Sequence, residues 1–210
     1  MTEAERQLPV AMVNRYVVRG DPAVFERERQ AYARQLCARD DFLAHLAFTV
    51  PEEPGAYVAL DYWSSVRGFF TAAYEEGVGR RHWALDALAD VEVDQMRSVG
   101  RMRGGPSAEE LRSCVLLQAD VPDSWREFEL AFGTLVGHCV NSDGFGGGEL
   151  LRSTLRGRRY LGVLAWRDEQ CRDAALAGPG YSVARHRIGG LATLTTYGGS
   201  LVACEVPGPV

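Results

Sequence analysis

Asp61 and Trp63 stand two residues apart in the stretch YVALDYW, residues 57–63, whose alternation is that of a β-strand. Tyr57, Ala59, Asp61 and Trp63 then share one face, and Val58, Leu60 and Tyr62 share the other. A carboxylate can take a proton from a phenol, and an indole can stack on a flat ring. An isolated buried carboxylate costs roughly several kcal/mol while it stays ionised and unpaired. Asp61 must therefore be solvated, paired with an arginine at the rim of the fold, or shifted toward its neutral form.

Three further residues could move protons near this pair. His45 lies in the preceding strand, three residues after Phe42. His82, with Trp83 beside it, follows the second helix of the same half, and Tyr181 with His186 occupies the matching region of the second half. Asp61, His45 and His82 are the candidate proton-transfer residues. No two of the four histidines have metal-ligand spacing, so no protein-bound metal is expected. The segment GFGGGE at 144–149 lacks the GxGxxG pattern of a dinucleotide cradle, and its glycines read instead as space.

These residues must be positioned by elements, and the elements repeat. Phe42 and Phe145, Tyr57 and Tyr160, and Trp63 and Trp166 all differ by 103, as do Phe25 and Phe128, Glu26 and Glu129, and Asp40 and Asp143. The second strand, YLGVLAW, keeps the tyrosine and tryptophan but has no acid. Each copy reads as strand, helix, strand, strand, helix, strand. In copy one, AMVNRYVV ends at Gly20-Asp21-Pro22, where Asp21 can cap a helix that carries Phe25, Tyr32 and Leu36 on one side. FLAHLAFTV, a turn at 51–55 and the YVALDYW strand follow, then a helix in SVRGFFTAAYEEG and a strand in DVEVDQMRSVGRM. RMRGGPSAEE reads as a linker, and the tail after residue 184 as one or two strands.

A βαββαβ unit has both helices on one face of an antiparallel sheet, and the bare face must be covered. The expected fold is therefore α+β: two tandem ferredoxin-like units, residues 1–103 and 104–210, packed sheet to sheet as an α+β barrel. A cavity between the sheets would receive Trp63 and Trp166, with Tyr57, Ala59, Tyr160, Gly162, Trp83, Tyr181 and His186 as further lining.

Composition narrows the function classes. A net charge of −5 gives no reason to expect nucleic acid. All 23 basic residues are arginine, which reads as genomic composition rather than function. Five widely spaced cysteines without a C-x-x-C pair suit reduced thiols. The charged start MTEAERQLPV lacks an apolar signal core, and no run is long enough to span a membrane. A soluble, cytoplasmic protein is expected.

The stretches ARDDFLAHLAF and PEEPGAYVALDYWSS, with NSDGFGGGELLRS and RYLGVLAWRD, resemble the antibiotic biosynthesis monooxygenase family, over roughly residues 11–95 and 112–190. The two-copy pattern is most similar to its angucycline ring-opening and quinone-forming members. The resemblance implies an oxygenase that uses O2 to oxidise a small polycyclic, phenolic polyketide, with Trp63 and Trp166 as pocket walls. Cofactor-free quinone-forming members carry an asparagine four residues before the tryptophan, where this chain has Ala59 and Gly162. Neither has a side-chain donor. That departure implies reduced flavin (FADH2 or FMNH2) as a dissociable co-substrate, delivered by a separate flavin reductase. Cofactor-free oxidation and a non-oxidative ligand-binding or cyclase barrel are the alternatives, and a further homodimer stays open.

Overall fold

The computed structural model describes residues 9–207; most of the charged N-terminal segment lies outside them. Its elements, in order, begin with β1 (Val10–Val18), α1 (Pro22–Cys37), β2 (Phe42–Thr49), β3 (Ala56–Trp63), α2 (Val66–Ala73), α3 (Glu76–Leu88) and β4 (Ala89–Arg103). After a 3-10 turn at Ala108–Glu110 come β5 (Ser113–Asp120), α4 (Trp125–Cys139), β6 (Phe145–Ser153), β7 (Arg159–Trp166), α5 (Glu169–Leu176), α6 (Pro179–Gly189) and β8 (Thr193–Glu205). The strands form a closed antiparallel barrel in the order β1-β3-β2-β8-β5-β7-β6-β4, so the expected α+β barrel is the fold observed. No helix among the described residues is long and apolar enough to cross a membrane.

Local chemistry sets the element ends. Asp21 accepts a 2.8 Å hydrogen bond from the Ala23 N–H, and Pro22 fills the first helical position of α1. Ser65 caps α2 through the Gly68 N–H at 3.0 Å, and Asp168 caps α5 through the Cys171 N–H at 2.8 Å. Gly55, at φ 83°, closes the β2–β3 turn in a conformation that β-branched residues avoid.

Two compact units result. One comprises the chain through Thr49, Glu53–Arg97 and the segment from Val202; the other comprises Val50–Glu52 and Ser98–Leu201. In the first, the alternate β1 residues Val10, Met12 and Tyr16 join Ala59 and Trp63 of β3 and Phe42 and Ala47 of β2. Phe25, Tyr32 and Leu36 of α1, Ala72 of α2, and Val78 and Leu85 of α3 pack against them. The second unit has its own core, built from β5, β6 and β7 under α4 and α6. Each fully buried aromatic contributes about 1.5–3 kcal/mol by leaving water.

Two helices were not legible in the sequence. α3 begins EGVGRR and buries only Val78 and Leu85, so its apolar stripe is too thin to read as a helix. α6 likewise precedes the tail, which forms the single strand β8.

A β-bulge decides which β2 residues can meet Asp61. The β2–β3 register shifts between Phe42 and Ala44. Strict alternation would put Phe42 and His45, three apart, on opposite faces; the extra residue puts both on the helix-covered face. The same shift recurs in the second unit between Phe145 and Gly147.

Candidate active site under helix α1

Three adjacent strands and α1 bring four polar side chains together in the first unit. The β1–β3 register sets Asn14 opposite Ala59 and Met12 opposite Asp61, and the β2–β3 register sets His45 opposite Asp61. Asn14 Nδ2 donates to Asp61 Oδ2 at 3.0 Å. His45 Nδ1 lies 2.6 Å from Asp61 Oδ1, and the Arg29 guanidinium reaches His45 Nε2 at 2.8 Å. Arg29 also holds Glu26 one helical turn away, with an N···O distance of 2.5 Å. Asn14, Arg29, His45 and Asp61 are all buried.

Hydrogen-bond chemistry assigns the protons. A guanidinium can only donate, so Nε2 of His45 is an acceptor. The ring proton then sits on Nδ1 and is donated to Asp61. Asp61 is thus neither solvated at a rim nor directly paired with an arginine. It receives donors from Asn14 and His45 and reaches the Arg29 charge through the imidazole.

Two phenols flank the chain. Burial first, and the charge of Asp61 second, push Tyr16 and Tyr32 well above the ordinary phenol range. Both therefore keep their protons at neutral pH. Burial raises Glu26, but the Arg29 hydrogen bond and charge outweigh it and leave its carboxyl below the usual range.

Trp63 closes the apolar end of this face. Its ring meets Phe42 at 5.0 Å and Phe69 at 5.9 Å, both edge-on, and Arg39 stands 6.0 Å from its centroid. Its indole N–H is buried and has no hydrogen-bond partner among the described residues. Buried donors are nearly always satisfied, so an orphan here needs an explanation. Trp166, the counterpart at the same strand position, donates to Ser142 Oγ at 3.2 Å.

Several expected site residues fall elsewhere. Trp63 and Trp166 each belong to the core of their own unit, between strands and helices. The expectation that both indoles line one cavity between sheets is corrected: helix side chains, not a facing sheet, cover each of them. His82 and Trp83 sit within α3 rather than after the second helix. His82 is half-exposed, 3.8 Å from Asp86 and 6.2 Å from the Tyr32 ring, while Trp83 is 73% exposed and cannot line a buried pocket. His186 is exposed on α6, and Tyr181 of the same helix is buried in the second core, with its phenol pushed up to about 12 by burial. Tyr57 stacks on Phe25 at 5.0 Å, and Tyr160 donates to Glu129 at 2.9 Å.

Two glycines of the second unit sit tightly against side chains. A Cβ on Gly162 would stand 2.3 Å from the Phe132 ring, and one on Gly148 would meet Leu164 and Val136 at 3.0 Å. Gly148 nevertheless lines a cavity of about 550 Å³ together with Phe132, Val136 and Leu150, so part of the room read from the sequence is present. Adding 103 to Asn14, Arg29, His45 and Asp61 gives Leu117, Phe132, Gly148 and Leu164. Leu117, Phe132 and Leu164 are members of the second core. Where the first unit holds a polar chain, the second holds apolar residues and a glycine.

Sequence reading missed Asn14 and Arg29. The signals were present: Asn14 interrupts the apolar alternation Val10, Met12, Tyr16, and Arg29 falls on the buried stripe of Phe25, Tyr32, Ala33 and Leu36.

No family model and no curated protein matches the sequence. Solved structures do. A protein of Fusobacterium nucleatum, provisionally named a monooxygenase, superposes with a TM-score of 0.82 at 11% identity, covering 97% of both chains. An anthrone oxidase-like protein gives a TM-score of 0.72 at 11% identity, covering all of this chain (100%) and 97% of its own. SnoaB of Streptomyces nogalater, named a cofactor-independent oxygenase, matches 48% of this chain and 96% of its own at 24% identity and a TM-score of 0.40. The fold is that of monooxygenase-like α+β barrels.

The flavin expectation is corrected. It rested on the missing donor at Ala59, but Asn14 stands across the ladder from Ala59 and brings a carboxamide to the same face. SnoaB is itself described as cofactor-independent.

Proposed function

We propose that the protein is an oxygenase that oxidises a flat, phenolic aromatic polyketide with O2, at a site in the first unit under α1. The observation that carries this reading is the buried chain Asn14–Asp61–His45–Arg29 on the face that also holds Trp63, whose N–H lacks a partner among the described residues. Asp61 takes the phenolic proton, held as an acceptor by Asn14 and His45. The Trp63 ring stacks beside the polycycle and its N–H donates to a substrate oxygen.

The phenolate is electron-rich enough to pass one electron to O2, giving a substrate radical and superoxide. Their coupling forms a carbon–oxygen bond, and the resulting peroxide loses water as the carbon gives up its remaining hydrogen. A CH2 flanked by aromatic rings thus becomes a quinone carbonyl, with one oxygen atom in the product and the other in water. No reductant is consumed. The antibiotic-biosynthesis setting follows from the resemblance of PEEPGAYVALDYWSS and its partner segments, and the name of the anthrone oxidase-like neighbour points to the same substrate class.

The second unit lacks the acid and the histidine, with Leu164 and Gly148 at their places, which favours a scaffold role for that copy. Oxygen uptake with an anthrone, in buffer without added flavin, tests the function. Uptake with quinone formation is expected; tight binding of the anthrone without oxygen consumption would instead make the protein a non-oxidative binding module.

A further inference from the structure

The Arg29–His45 contact has a chemical consequence that deepens the proposed function and rests on it. A histidine next to a carboxylate ordinarily leaves its second nitrogen free to receive a proton, which makes the imidazole the working base. Here that second nitrogen is occupied. Nε2 faces the Arg29 guanidinium at 2.8 Å, inside a region where Arg29 is fully buried and His45 nearly so. Protonating Nε2 would set two cations against each other where burial weakens solvent screening.

We infer that Arg29 is a positioning residue that locks His45 as the neutral Nδ1–H tautomer, so that Asp61, not His45, receives the substrate's proton. The groups around the imidazole are consistent with that assignment. From α1 come Glu26, Arg29 and Tyr32; from β1, Tyr16; from β3, Asp61; and from α3, His82 and Asp86, which reach the site through Tyr32 and Tyr16. Glu26 neutralises part of the Arg29 charge without contacting the ring, so Arg29 keeps a donor for Nε2. The second copy supplies an internal contrast. With Leu164 in place of the acid and Gly148 in place of the histidine, the arginine position is taken by Phe132. The cation is absent where the imidazole is absent.

The test is nitrogen-15 NMR of the imidazoles in the uniformly labelled full chain, with His45 assigned by the signal lost in His45→Gln. At neutral pH His45 should show a protonated Nδ1 and a bare Nε2, the nitrogen that accepts from Arg29. Arg29→Met should move the Nε2 signal away from its wild-type position. Arg29→Lys, which restores a donor-only cation, should bring it back. A wild-type His45 that carries its proton on Nε2 overturns the assignment and requires no variant to fold. The measurement uses resting protein without substrate. A locked tautomer together with absent oxygen uptake would therefore refute the oxygenase reading alone.

Discussion

His45 Nδ1 lies 2.6 Å from Asp61 Oδ1, across two neighbouring strands and 16 positions apart in sequence. The bulge at the start of β2 is what lets them meet, and α1 packs over them. A pair this dry is held by its hydrogen bonds, so its members respond differently to substitution.

Asp61→Asn keeps the shape and the hydrogen-bonding reach of the side chain but removes the base. Turnover should fall by about 10²–10⁴-fold, the usual contribution of a positioned base, with substrate affinity changed far less. Steady-state oxygen uptake gives kcat and KM separately. An equal loss in binding and turnover would make Asp61 a structural acid.

Asn14→Ala withdraws the donor from Asp61 Oδ2. The buried carboxylate then lacks one partner, at a cost of about 1–3 kcal/mol, which the urea midpoint at constant slope reports. Oxygen uptake should fall as well, since the same oxygen loses its orientation.

The two tryptophans should separate cleanly. Trp63→Phe removes an N–H with no partner among the described residues, so stability should change little while ligand affinity falls about tenfold or more. Trp166→Phe breaks the bond to Ser142, costing about 1 kcal/mol of stability, with turnover retained. Isothermal titration with an anthrone and thermal melting distinguish the two; a loss of affinity in Trp166→Phe would return the second copy to the binding site.

Gly162→Ala pushes a methyl into the Phe132 ring at 2.3 Å. Overpacking of this kind costs about 1–3 kcal/mol. Chemical denaturation should show that loss, and folded Gly162→Ala should turn over substrate normally because the site lies in the other unit.

Acid should weaken the first unit through Glu26. Its carboxyl is held below its ordinary range: burial raises it, and the Arg29 hydrogen bond and charge more than offset that. A depressed carboxylate stabilises the fold above its unfolded value, and that contribution disappears as pH falls through the folded value. Denaturation midpoints measured from neutral pH down into that acidic window should drop, and Glu26→Gln should flatten the decline.

The sequence by itself determined the repeat, the α+β barrel and the aromatic landmarks, because strand alternation and helical stripes are local periodicities. It marked Asp61 and Trp63 as sharing a face for the same reason. Only the tertiary structure decided what they face. The bulge between Phe42 and Ala44 turned His45 toward Asp61, and β1 pairing set Asn14 opposite Ala59, supplying the carboxamide that YVALDYW lacks. Packing of α1 then brought Arg29 to His45, and in the second copy packed Phe132 against Gly162, closing the space the glycine promised. Register, bulges and helix docking are relations between distant segments, fixed by which faces can be buried together, and no local pattern encodes them.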